Sequence, residues 1–320
     1  MQALQFSTTG NLDSLRLVDL PTPVPAADEV LVEVRAAGLN PSDVKNVLGR
    51  FSYTTVPRIP GRDFVGIVVQ GPQQWLGQAV WGGSGKGFGF NVDGCHAQYV
   101  AVPVQAIARK PDTLSFAQAA TCGVPYITAW DALQRSQVVA GTRLLIIGAG
   151  AVARAAQALA QARGAHVVLG ARRADVVQGL QAAGIDAFQL QASEQLPGQA
   201  AERFAQQAPE VIFDTTGSWL AAAVNTLAPF GRIAVIAAPV DGMVSTPILN
   251  LYRRGGSIVG INSLLYSLED CARMLEHIGA LFEQGSLPLP EDFSELPLAE
   301  AVAAYHAVND GSAEKIVLLP

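Results

Sequence analysis

Apolar and polar positions change rhythm twice along this chain. Up to about residue 120 the apolar runs are short, and Val30, Val32 and Val34 alternate with Leu31, Glu33 and Arg35 at a period of two. Pro21, Pro23 and Pro25 disfavour helix just before that run. Further short runs cover 64–69, 79–81 and 99–104, separated by glycines at 61, 66, 71, 77, 82, 83, 85, 87, 89 and 94. Short strands joined by dense turn signals predict a small barrel-like β domain.

The middle stretch alternates strand and helix. Residues 143–148 form an apolar run ended by glycine, the pattern of a buried parallel strand. The alanine-rich 151–163 reads as helix, 166–170 as a second strand, and 174–183 as helix again. Strands are predicted at 186–190, 210–214, 232–237 and 257–261. This spacing implies βαβ units and a doubly wound parallel sheet. From about 264 the pattern predicts a helix at 268–282, a Pro-rich linker, a helix at 298–308 and a strand at 315–319. Six strands already complete the middle sheet, so the last strand is expected to return and pair with the first domain.

Residues 148–153 read G-x-G-x-x-A between the first parallel strand and its helix. Gly148 permits the tight turn, Gly150 lets backbone N–H groups approach a diphosphate, and Ala153 allows close helix–strand packing. The helix start at Ala151 and Val152 then offers unpaired donors and a positive dipole end. An NAD site places a carboxylate at the end of the second strand for the ribose 2′-OH. Here Gly170 and Ala171 are followed by Arg172 and Arg173, as a 2′-phosphate would require. The expected cofactor is therefore NADPH; the alternative is that both arginines are solvated residues opening the next helix.

Composition narrows the classes. The 320 residues suggest two domains, and 50% hydrophobic against 15% charged residues excludes disorder. A net charge of −6 without a basic run argues against nucleic acid as a partner. No apolar run is long enough to predict a membrane span. The first ten residues carry no signal-peptide pattern, and Cys95, Cys122 and Cys271 form no C-x-x-C, so a reducing cytoplasm is expected.

The ordered motifs 37–43, 59–66, 94–100 and 123–130 lead to the glycine loop, and 213–217 and the terminal Lys315-Ile-Val follow it. This set resembles the medium-chain dehydrogenase/reductase superfamily, in particular its zinc-free quinone oxidoreductase branch, over essentially the whole chain. The resemblance implies an α/β protein: a GroES-like β-barrel catalytic domain from residues 1–120 and 264–320, with a Rossmann NADP-binding domain at 121–263 inserted. It also implies a homodimer. Zinc-dependent relatives carry Cys where this chain has Asn40 and His-Glu where it has Arg62-Asp63. Cys122 lies near their third ligand, but its distance to Thr128 is two residues too long. No metal is therefore expected.

Without metal, NADPH suits hydride donation to carbons that are already electrophilic, as in quinones and α,β-unsaturated carbonyls. Candidate catalytic residues are Asn40, Lys45 and Tyr53, with Phe51 an alternative to Tyr53. The resemblance puts Asn40 by the nicotinamide ribose and a polar donor at position 45. Capping explains Asn40 and Asp43 equally well, and Lys45 is equally readable as a solvated lysine. Arg62 and Asp63 read as a structural ion pair, Cys122 as buried packing, and Asp214 as the cap of the next helix. Further cofactor-binding candidates are Thr128, Thr216, Ala237, Pro239, Asn262 and Lys315. Two other functions compete: a non-catalytic NADP(H)-binding sensor or scaffold, and a zinc-type alcohol dehydrogenase.

Overall fold

In the computed structural model, which describes residues 1–312 and 314–320, the two chain ends form unit 1 (Met1–Ile127 with Ser263–Pro320) and the middle forms unit 2 (Thr128–Asn262). The chain opens with β1 (Gln2–Phe6), β2 (Leu15–Asp19), β3 (Glu29–Leu39), α1 (Pro41–Val47), β4 (Asp63–Gln70), β5 (Ala79–Gly83), β6 (Tyr99–Pro103) and β7 (Ala108–Arg109). Next come α2 (Phe116–Ala120) and α3 (Gly123–Arg135), within which the units divide. Residues 121–127, assigned to the inserted domain from sequence, thus lie in unit 1.

Unit 2 continues with β8 (Arg143–Ile147), α4 (Ala151–Ala162), β9 (His166–Ala171), α5 (Ala174–Ala182), β10 (Ala187–Gln189) and α6 (Leu196–Arg203). It ends with β11 (Val211–Asp214), α7 (Leu220–Thr226), β12 (Arg232–Val235), α8 (Ile248–Arg253) and β13 (Ser257–Gly260). Unit 1 is completed by α9 (Leu268–Glu283), β14 (Phe293–Pro297), α10 (Ala301–Asn309) and β15 (Lys315–Leu319).

Unit 1 is organised by β3. Its Leu31–Gly38 stretch pairs with β4, while on its other edge Glu29–Glu33 pairs with β6 and Ala37–Leu39 with β15. Irregularities at Leu31/Val32 and Val34/Ala36 interrupt the β3–β4 register, the kind of bulge that bends a strand. The period-two reading of 30–34 holds only in part: Leu31 is buried as fully as Val30 and Val32, because β3 has cover on both faces. The tail returns as expected, β15 lying antiparallel to β3. The presumed linker contains β14, parallel to β15 and joined to it through α10.

Unit 2 is a six-stranded parallel sheet in the order β10-β9-β8-β11-β12-β13. Leu144, Leu145, Ile146 and Ile147 of β8 are fully buried, each burial favouring the fold by ~1.5–3 kcal/mol. Helix α4 buries Ala153, Ala155, Ala156, Leu159 and Ala160. The strand order reverses between β8 and β11, so the loops after these two strands diverge and leave a crevice at their carboxyl ends.

Candidate functional site

In unit 1, β3 passes into α1 at the buried Asn40. The Asp43 carboxylate accepts the Asn40 backbone N–H at 2.9 Å, closing the first turn. The Asn40 side chain is used elsewhere. Its Nδ2 donates to Asp63 Oδ2 at 2.8 Å, and its Oδ1 accepts from Lys315 Nζ at 2.7 Å. Lys315 also donates to the Leu39 carbonyl at 3.1 Å and lies 3.9 Å from Asp63 Oδ2. The other Asp63 oxygen accepts the Val124 N–H at 2.8 Å, tying the start of α3 to this cluster. Arg62 Nε reaches Asp43 Oδ1 at 3.3 Å, and its Nη2 donates to Ser42 Oγ.

Two cations and two carboxylates are thus buried together, a state that is tolerable because each charge is paired. Burial pushes the Asp63 carboxyl up, opposed chiefly by Lys315 and the Asn40 amide. Burial pulls Lys315 down, opposed by Asp63 and Asp43. Beside them lies His96, also lowered by burial. The Gly38 carbonyl, 3.3 Å from His96 Nε2, can only accept, so Nε2 carries the proton and Nδ1 accepts from Tyr305 OH at 2.9 Å.

One expectation holds and one is corrected. Asn40 stands at the N-cap of α1 with Pro41 in the first turn, and Asp43 at the third position returns its carboxylate to the Asn40 N–H, closing a capping box. The Arg62–Asp63 ion pair is replaced by crossed pairs, Arg62 with Asp43 and Asp63 with Lys315. Adjacent residues of extended chain project to opposite sides, so neighbours in sequence take different partners. Cys122 is buried, its Sγ against the Gln118 carbonyl at 3.4 Å, and burial pushes its thiol up to about 12, as suits packing. Among the described residues, no group of three His, Cys, Asp or Glu side chains could hold a metal ion.

Lys45 is exposed on α1, whose neighbouring Asp43, Val44, Asn46 and Val47 are buried. Tyr53 is 45% exposed, and its ring packs against Phe51 (5.9 Å between centroids) and Phe90 (5.5 Å). Partial burial raises its hydroxyl pKa, opposed by Arg62. The sequence reading missed Asn46, Arg62 as a member of the cluster, and the His96–Tyr305 pair. Asp43 and Asn46 carried a usable signal: both lie one helical turn apart on the face that the apolar Val44 and Val47 mark as buried.

In unit 2, Gly148 has φ +117°, and a Cβ there would stand 2.1 Å from Thr215 Oγ1. At Gly150 a Cβ would meet nothing within 4 Å, and no side chain caps α4. The residues therefore fit a diphosphate: the space beside Gly150 is open, and the start of α4 leaves the N–H groups of Ala151 and Val152 without intrahelical partners. Arg172 and Arg173 are both exposed after β9, Arg173 Nε lying 3.5 Å from Asp175. Asp214 is buried at the end of β11 and accepts from the N–H and hydroxyl of Thr216 and from the N–H groups of Gly217 and Trp219. It thus shapes the loop carrying Thr216 as well as leading into α7. Ala237 is half-buried and Pro239 exposed after β12, Asn262 is exposed after β13, and Thr128 is buried in α3.

Residues 26–112 match the family described as the alcohol dehydrogenase GroES-like domain, and residues 151–280 that of the zinc-binding dehydrogenase. The chain is 33% identical over 311 residues to the zinc-type alcohol dehydrogenase-like protein of Schizosaccharomyces pombe, covering 95% of this chain and 92% of that one. It is 27% identical over 330 residues to the quinone oxidoreductase of Lama guanicoe, covering 100% and 97%. The crystal structure of an alcohol dehydrogenase superfamily protein from Novosphingobium aromaticivorans superimposes with a TM-score of 0.88 at 30% identity, covering 100% and 99%.

Proposed function

The chain belongs to the medium-chain dehydrogenase/reductase superfamily, with a quinone oxidoreductase-like branch as its setting, and from that premise we infer that it reduces quinones or α,β-unsaturated carbonyls with NADPH and without zinc. The observation that carries the reading is the Lys315 ammonium held by Asn40 and Asp63. A divalent cation drawn to Asn40 and Asp63 would have to displace this ammonium, with the Arg62 guanidinium close by. The zinc named in two of the similarities above belongs to those descriptions.

Gly148, Gly150, Ala151 and Val152 would hold the dinucleotide diphosphate, and Arg172 and Arg173 would meet the 2′-phosphate. Thr128, Thr216, Ala237, Pro239 and Asn262 are proposed to line the rest of the cofactor site within unit 2; in unit 1, Asn40 and Lys315 are proposed as cofactor-contacting residues. Bound NADPH supplies the hydride. The chain's own task is to orient the acceptor and hold the charge that develops on its oxygen. For orienting the acceptor, Tyr53, on a packed ring, is better suited than the solvated Lys45. Dimerisation is proposed through β13, the edge strand of the unit 2 sheet, beside the exposed Ile248, Leu249, Tyr252 and Ile258.

The test is NADPH oxidation followed with a panel of quinones, enals and enones, alongside metal analysis of the purified protein. Turnover without stoichiometric zinc supports the reading. NADPH binding with no turnover of any acceptor favours a non-catalytic sensor, and stoichiometric zinc overturns the metal-free assignment.

A further inference from the structure

Arg62 is the cation of the buried cluster with donor capacity to spare. Its side chain is 3% exposed, its Nε and Nη2 are used by Asp43 and Ser42, and no acceptor among the described residues takes Nη1. The guanidinium lies over the Phe90 ring, 5.4 Å from its centroid. Phe90 meets Phe51 edge-on at 4.9 Å and Tyr53 at 5.5 Å, so the ring beneath the charge is itself packed by two further aromatic rings.

The arrangement is held rigidly. Gly89 has φ +79°, and a Cβ there would come within 3.2 Å of Arg62 Cγ and 3.0 Å of the Gly61 carbonyl, so glycine lets this loop cross the Arg62 stem. The buried Asn46 donates to the Gly89 carbonyl at 2.6 Å and accepts from Thr54 at 2.6 Å. The Thr55 N–H bonds the Phe90 carbonyl at 3.1 Å. Both loops carrying the rings are thereby tied to α1. Donors fixed before the reaction stabilise developing charge without reorganisation.

We propose that Arg62 is the oxyanion-binding residue of an aromatic-walled acceptor site, its Nη1 donating to an oxygen conjugated with a planar ring that lies on Phe51 and Tyr53. This rests on the reductase reading and deepens it by favouring ring acceptors of the quinone class over open-chain enals. Hydride adds to the acceptor, an electron pair moves onto its oxygen, and solvent later protonates that oxygen; Arg62 neither gains nor loses a proton. Asp43 and Ser42 act as positioning residues for the guanidinium.

The test uses 4-nitrophenol, a phenol whose ionisation is read by absorbance, titrated with pH on the full chain without dinucleotide. The bound phenol should ionise at a pH lower than free phenol by about one unit, a tenfold change in acid constant. Arg62→Met should remove the shift and Arg62→Lys should keep part of it. Should Arg62→Met fail to fold with Asp43 left unpaired, Arg62→Met with Asp43→Asn removes both charges, and thermal melting verifies the fold. No binding to the wild-type chain, an unshifted bound phenol, or a wild-type shift in the Met variants overturns the proposal. A shifted phenol without quinone turnover leaves Arg62 standing and sinks the reductase reading; turnover with an unshifted phenol does the reverse.

Discussion

Replacing Lys315 by Met removes an ammonium while keeping most of the side-chain volume. Asp63 then keeps only the Asn40 amide and the Val124 N–H, both at 2.8 Å, and the Leu39 carbonyl and Asn40 Oδ1 lose a donor. Removing one partner of a buried pair costs ~3–5 kcal/mol. Burial already pulls Lys315 down, so its own desolvation opposes folding at neutral pH, and the variant is relieved of that. The net deficit should therefore be about 3 kcal/mol, a fall in Tm on the order of 5 °C. The deficit depends on pH. Burial raises Asp63, Lys315 opposes the rise, and without Lys315 the carboxyl moves further up. A carboxyl raised in the folded state stabilises below its ordinary range and loses that contribution as pH rises through the raised value. The deficit should thus be small in acid, grow as Asp63 ionises, and be complete at neutral pH. Calorimetric Tm against pH reads this directly, and adding Asp63→Asn to the variant should recover most of the neutral-pH loss. A deficit that is flat with pH, or a double variant no better than the single, would refute the reasoning.

Arg172→Ala should weaken NADPH binding by ~1.5–3 kcal/mol and leave NADH binding nearly unchanged in fluorescence titrations; equal losses would remove the 2′-phosphate role. Gly148→Ala should lower stability by ~1–3 kcal/mol, because its Cβ would strike a Thr215 hydroxyl held by the Ile147 carbonyl and its φ is positive. Gly150→Val has the opposite signature: it should leave stability within about 0.5 kcal/mol of wild type while abolishing dinucleotide binding, since its Cβ enters open space. Asp214→Ala should cost about 3 kcal/mol in urea unfolding, because the N–H groups of Thr216, Gly217 and Trp219 lose their acceptor.

The alternation of strand and helix in unit 2 could be read from the chain directly, as could the glycine turn at 148–150 and the return of the last strand to the first domain. Each depends on spacing between near neighbours or on a backbone angle that one residue type prefers. β14 escaped notice because Pro290 precedes it, Pro297 ends it and no apolar alternation marks it. The partners of Asn40, Arg62 and Asp63 could not be read at all. Asn40 and Lys315, bonded at 2.7 Å, are 275 residues apart, and Arg62 turns away from its own neighbour. Periodicity belongs to a segment taken alone. The pairing of buried charges is decided only when distant segments exclude water around them, and it follows which opposite charge packing brings within reach.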